Sequence, residues 1–275
     1  MVITFAAVIG AIASGCCAVI KPSEIVPHFS QLMADILPKY LDSSAYRIVN
    51  GAIPEASKLL ELQWDSINYT GNSRVGRIVA SAAAKHLTPC SLELGGKSPV
   101  YVDSAYDMDL AAKRILHGKC RNAGQVSHTS TWTRRPSPVY RQICVAPDYI
   151  LVSRQKQDEL IQGLEKVYKG FFPDGALGDT KYSNIVNDIH FRRLTNLLER
   201  SKGEKVIEGR RDAEKRRFEL VVVKDVKADD SLLEEYVITI CTRESNNFQS
   251  VISGRYLDPY CPSLPWMVWM KQSTS

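Results

Sequence analysis

No two cysteines in this chain are spaced C-x-x-C and the five histidines are scattered, a pattern that argues against a structural metal site. The seven cysteines (Cys16, Cys17, Cys90, Cys120, Cys144, Cys241 and Cys261) form no paired framework, so a reducing compartment is expected. There is no G-x-G-x-x-G run. Gly71 and Gly76 have P-loop spacing, but Arg77-Ile78 stands where a phosphate-binding Lys and a magnesium-binding Ser or Thr belong, which argues against an NTPase. The net charge is +5, yet no clustered basic face carries it. Arg134, Arg135 and Arg141 lie in an acid-free stretch, and the basic run at 210–217 is diluted by Asp212 and Glu214. Nucleic acid is therefore not an expected partner. No internal repeat is visible.

Residues 2–20 also lack any charged side chain, and Lys21 closes the run. Length alone permits a membrane span. However, the run contains Thr4, Gly10, Ser14 and Gly15 and has no basic start of the signal-peptide kind. The reading adopted is a buried helix, a break at Ser14-Gly15, and a short core strand at 16–20, with a membrane anchor as the alternative.

What is present is ordinary for a globular chain of 275 residues: 44% hydrophobic and 24% charged, long enough for one large domain or two modest ones. Helix and strand patterns alternate. A strand at 65–70 enters Gly71, an alanine-rich helix covers 74–86, and a strand covers 90–94. The rhythm repeats as a strand at 99–102, a helix at 107–117 and a strand at 143–152. Two amphipathic helices follow, one lined by Leu160, Leu164, Val167 and Tyr168, the other by Leu194, Leu197 and Leu198. Residues 218–223 read as the last convincing strand. This order predicts an α/β fold with helices covering parallel sheets. From 236 to 275 no period of two or 3.6 persists, and the tail reads as disordered or irregular.

Three segments carry chemistry. Leu92-Glu93-Leu94-Gly95-Gly96-Lys97-Ser98-Pro99 sets a carboxylate against a glycine pair at a strand end. Asn122-Ala123-Gly124-Gln125 precedes, after an interval, Cys144-Val145-Ala146-Pro147-Asp148-Tyr149. Lys21-Pro22-Ser23-Glu24 and Tyr69-Thr70-Gly71-Asn72-Ser73-Arg74-Val75-Gly76 stand upstream. In this order the segments resemble the aldehyde dehydrogenase family, nearest its class-3 and fatty-aldehyde branch. Lys85-His86-Leu87-Thr88-Pro89, Pro38-Lys39-Tyr40-Leu41 and Val49-Asn50-Gly51 add to the likeness, which runs from about residue 10 to 235.

The resemblance implies a partial aldehyde dehydrogenase-like fold: an incomplete NAD(P)-binding domain at 1–97 and a partial catalytic domain at 98–235. It implies oxidation of aldehydes to carboxylic acids, with Cys144 as nucleophile and Glu93 as general base. NAD or NADP would be the cofactor, held by Lys21, Ser23, Glu24, Gly71, Asn72, Gly76 and Leu94, with Glu235 on the nicotinamide ribose. Lys21 and Glu24 would serve the adenosine ribose as donor and acceptor, and the helix start after Gly71 would favour the pyrophosphate. An aldehyde is the implied substrate and a homo-oligomer the implied assembly. The implied location is the cytoplasm, with membrane association a property of the branch. Read residue by residue, each motif also has a plain alternative: a solvated turn for Lys21–Glu24, a backbone-shaping turn at Gly71, a strand glutamate facing water, and a buried apolar cysteine.

The chain also departs from the family. Eighteen residues separate Gln125 from Cys144, where the family has one. The family has a longer N-terminal portion, including an oxyanion-binding asparagine, and a final third without counterpart here, so the chain reads as truncated at both ends. Losing one oxyanion donor costs about 10²–10³ in rate, and impaired or absent turnover is expected. The alternative is an inactive subunit that associates with intact homologues. Val126-Ser127 and Gln142 can be encoded by the ends of an intron, as can the junction after Glu235. Residues 126–142 and most of 236–275 are therefore expected to be translated intron or out-of-frame sequence, which sequencing the spliced message across both junctions tests.

Overall fold

A computed structural model describes residues 2–120, 123, 146–179, 181–233, 240–244 and 266–271. The chain divides into two compact units, the first holding residues 1–95 and 259–275, the second most of 96–258.

The first unit starts with the uncharged run. Val2–Ala13 forms helix α1, Gly15 reverses the chain at φ +71°, and Cys17–Lys21 forms strand β1. The positive φ is why glycine stands at the break. Ser14 Oγ donates back to Gly10 O at 2.9 Å and seals the helix end. Twelve helical residues span about 18 Å at 1.5 Å each, short of a bilayer's hydrocarbon core. Among the described residues, no helix is long and apolar enough to cross a membrane. Instead Val8 and Ala11 bury against Ala18 and Ile20 of β1 and Met33 of helix α2 (Pro27–Ile36).

Strand β2 (Tyr46–Ile48) and helix α3 (Ile53–Leu60) precede β3 (Ser66–Gly71), α4 (Ser73–Ala84) and β4 (Cys90–Leu94). In β3 alternate residues point inward, so Ile67 and Tyr69 meet Val79 and Ala83 of α4. β1 runs parallel to β2, and β3 parallel to β4.

The second unit opens with β5 (Pro99–Val102), α5 (Met108–Lys119), β6 (Tyr149–Val152) and α6 (Arg154–Phe171). Asp107 caps α5, its side chain accepting from Leu110 N at 3.0 Å. It continues with α7 (Asp188–Arg200), β7 (Glu204–Ile207), the short hairpin β8 (Arg211–Asp212) and β9 (Arg217–Phe218), and β10 (Val222–Lys224). All four residues of β6 are buried. Ile150 and Val152 join Leu116, Leu160 and Leu164 on one face, while Tyr149 and Leu151 join Leu194 and Phe218 on the other. A strand covered on both faces reads as continuous hydrophobic sequence, as this one does.

Three differences from the sequence reading have physical causes. The strand expected at 143–152 begins at Tyr149, because Pro147 cannot donate to a ladder and Asp148 is held by other charges; residues 143–145 lie outside the described set. The strand expected at 218–223 is broken into β9 and β10. Between them Glu219 turns its carboxylate to Arg210, accepting from its backbone N at 3.0 Å and its Nε at 3.1 Å. The tail expected to be irregular contributes two strands, β11 (Ile240–Glu244) and β12 (Trp266–Lys271).

Strand β11 completes a sheet ordered β5-β6-β11-β10-β7, parallel except for β7. β12 lies in the middle of the first unit's sheet, ordered β2-β1-β12-β3-β4, and is antiparallel to both neighbours. Ile20 is registered with Val268, and Ile67 with Trp269. Facing edges of β1 and β3 present N–H and C=O groups that need partners, and the Trp, Met and Val residues of 266–271 suit a strand.

Candidate functional site

Three of the motif segments meet one edge of the first sheet. β1, β3 and β4 run in one direction, and their last residues are Lys21, Gly71 and Leu94. Carboxyl ends of parallel strands are where open α/β sheets take ligands.

At the end of β1, Lys21 is 2% exposed, so its ammonium must be satisfied locally. Its Nζ donates to Pro22 O at 2.9 Å and lies 3.2 Å from Glu24 Oε2. A donor and an acceptor thus sit side by side, the combination that chelates the two hydroxyls of a ribose. Ser23 is fully buried, its Oγ accepting from Ile25 N at 3.2 Å and its carbonyl from Ser30 Oγ at 2.8 Å. It shapes the turn that presents Glu24.

At the end of β3 the chain passes through Gly71 and Asn72 into α4. Asn72 is the N-cap, its Oδ1 accepting from Val75 N at 2.9 Å, while its carbonyl accepts from the Tyr69 hydroxyl at 3.1 Å. A side chain at Gly71 would collide with the Tyr69 hydroxyl, its Cβ falling 2.1 Å away. Gly76 packs α4 against β4, since a Cβ there would stand 2.9 Å from Leu94 Cδ2. Gly71 and Gly76 therefore have packing reasons to be glycine besides any ligand. The start of α4, with its dipole, offers positive potential to an anion.

At the end of β4, Glu93 is registered with Thr70 and Leu94 with Gly71. Glu93 is exposed, open to water. By chemistry this edge, an ammonium–carboxylate pair beside an anion-favouring helix start, suits a phosphate-bearing nucleotide.

Cys144 and Glu235 lie outside the described residues, as do Asn122, Gly124 and Gln125. Among the described cysteines, Cys120 is held as a neutral thiol, its pKa pushed up to about 12 by burial. Among the described residues no cluster of three His, Cys, Asp or Glu forms a metal site.

Two features escaped the sequence reading. Tyr69 is fully buried behind the Gly71 turn and fixes it through Asn72; an aromatic in a strand reads only as core. In the second unit, Lys97 and Lys119 converge on Asp148. Charged residues tens of positions apart give no periodic signal, so only the folded chain brings them together.

Residues 1–134 match the family described as Aldehyde dehydrogenase family. The chain is 40% identical over 237 residues to Aldehyde dehydrogenase family 3 member A2 of Mus musculus, covering 86% of this chain and 45% of that protein. It is 40% identical over 259 residues to Aldehyde dehydrogenase, dimeric NADP-preferring, of Canis lupus familiaris, covering 92% and 53%. A solved structure of Staphylococcus aureus AldH in a substrate-bound state superposes with a TM-score of 0.79 at 33% identity, over 91% of this chain and 51% of that one. The chain spans about half the length of these relatives.

Proposed function

The chain belongs to the aldehyde dehydrogenase family, and from that membership we propose that it carries the cofactor and nucleophile segments of an NAD(P)-dependent oxidation of aldehydes to carboxylic acids. What supports this most is the gathering of Lys21, Gly71 and Leu94 at one carboxyl edge of the first sheet. The segments resembling the family's cofactor turn, phosphate turn and general-base strand are separated in sequence, and the common direction of β1, β3 and β4 brings all three to one edge.

In this reading Lys21 and Glu24 hold the adenosine ribose, and the start of α4 faces the pyrophosphate. The bound nicotinamide supplies a hydride acceptor. The Cys144 thiolate adds to the aldehyde carbon, with its own backbone N–H holding the oxyanion. Departure of the hydride leaves a thioester on Cys144. Glu93 takes a proton from water, the resulting hydroxide displaces the thiolate, and the carboxylic acid leaves.

The eighteen residues between Gln125 and Cys144 slow this chemistry, because a displacement of about 1 Å at a reacting group can cost 10²-fold. The test is NAD(P)H formation by the purified chain with an aliphatic aldehyde. Slow formation is expected, accelerated by deleting residues 126–142 and abolished by Cys144→Ala in that background. Glu93→Gln should cost about 10²–10⁴-fold. A folded deletion variant that binds NAD(P) yet forms no product overturns the reading. The same interval favours a second reading, an inactive subunit bound to intact homologues, which co-purification with such a homologue tests.

A further inference from the structure

The sheet of the first unit consists of two parallel pairs, β1 with β2 and β3 with β4, and among the described residues β12 alone joins them by a ladder. The halves also touch through apolar packing, with Val19 of β1 set against the core around Ile67 and Tyr69. Packing of that kind keeps the halves near one another, whereas a ladder fixes them residue by residue.

The ladder matters most at the carboxyl edge. Pairing of β1 with β2 ends at Ile20 opposite Ile48, so among the described residues Lys21 has Met267 as its sole ladder partner. On the other side of β12, Trp266 is registered with Thr70, the residue before Gly71. Two consecutive residues of β12 therefore stand between the Lys21–Glu24 pair and the turn into α4. With β12 in place, β1 and β3 lie two strand spacings of about 4.8 Å apart. Without it that separation is no longer set, and the ribose-matching pair and the anion-favouring helix start lose their common geometry.

We propose that β12 is a positioning strand whose docking sets Lys21 against the start of α4, so that nucleotide binding and docking of residues 266–271 strengthen one another. This rests on the reading of that edge as a nucleotide site. The coupling is reciprocal: whatever the docked strand adds to nucleotide affinity, bound nucleotide adds to docking of the strand. It needs only the backbone register of β12, and the strand acts without itself holding the ligand.

The experiment uses NAD⁺ as the probe, with hydrogen exchange and titration calorimetry as readouts. On the full chain, NAD⁺ should slow exchange in Trp266–Lys271 as strongly as in Cys17–Lys21 and leave Tyr149–Val152 of the second unit unchanged. A chain ending at residue 258 should bind NAD⁺ about tenfold more weakly or worse. A synthetic peptide of residues 262–275 should restore the affinity to within about threefold, and the same peptide carrying Val268→Pro should not. Lys21→Met separates positioning from mere support of the fold. In that background the deletion should cost less than about threefold, because the side chain that β12 places is already gone. An equal cost in both backgrounds overturns the proposal, as does a peptide that restores protection of Cys17–Lys21 without restoring NAD⁺ affinity. Should the shortened chain fail to fold, the exchange measurement decides alone, since it uses the intact protein. A full chain that binds NAD⁺ with no response in β12 overturns the proposal by itself. A full chain that binds no NAD⁺ overturns the nucleotide reading and the proposal with it.

Discussion

Cys120 follows the last turn of α5, and burial pushes its thiol up to about 12 while neighbouring Lys119 pulls it down by less. Only the thiolate is nucleophilic, and a thiol pushed this far up stays almost wholly protonated near neutral pH. Cys120 is therefore expected to stay unmodified by iodoacetamide in the folded chain and to react at once in denaturant, which peptide mapping checks. A cysteine that did react in the native protein would place it in a different environment from the one described. Sequence position marked out Cys144 through the family resemblance, but it did not separate Cys120 from the other five cysteines. The environment decides, and the environment is tertiary. The same holds for Lys21: Lys-Pro-Ser-Glu only suggested a cofactor role by resemblance, and neither its near-complete burial nor its pairing with Glu24 was legible there.

Among elements, the junction between β9 and β10 carries a pH-dependent contact. The Arg210 guanidinium beside Glu219 holds its carboxyl below the ordinary value of 4.5, with burial opposing. Because the folded pKa is the lower one, the contact contributes fully above about 4.5 and is lost as pH falls through the folded value. Acid unfolding followed by circular dichroism should accordingly lose one carboxylate's share of its pH dependence below pH 4.5 in Glu219→Gln, while stability near neutral pH drops because Arg210 loses a charged acceptor. An unaltered acid limb would remove Glu219 from the account. Strands 90–94 and 99–102 were legible to the residue, because the first alternates apolar and polar residues up to Gly95 and the second is a short apolar run closed by Asp103. The break at Glu219 was not, since a glutamate in an apolar run looks like an ordinary alternating position until its partner nine residues away is known.

For the whole chain, the α/β class and the parallel sheets were readable from alternation, and the family from the order of motifs. The tail was not. β11 and β12 are paired on both edges, and such strands carry no obligatory period of two. Val268→Pro should remove a ladder donor from a central strand. Hydrogen exchange is then expected to speed up in Cys17–Lys21 and Ser66–Gly71 of the first unit and to stay unchanged in Tyr149–Val152 of the second. Equal acceleration in both would contradict two separately built cores.

The placement of β12 has a kinetic consequence. Its residues lie nearly two hundred positions beyond β3, so the first sheet cannot knit while its own strands are leaving the ribosome. Bringing ends so distant together costs about 4–5 kcal/mol in closure entropy and makes the pairing slow. Until the last strand arrives, β1 and β3 stand as raw edges in a nascent chain, the condition in which chaperones are recruited and aggregates are seeded.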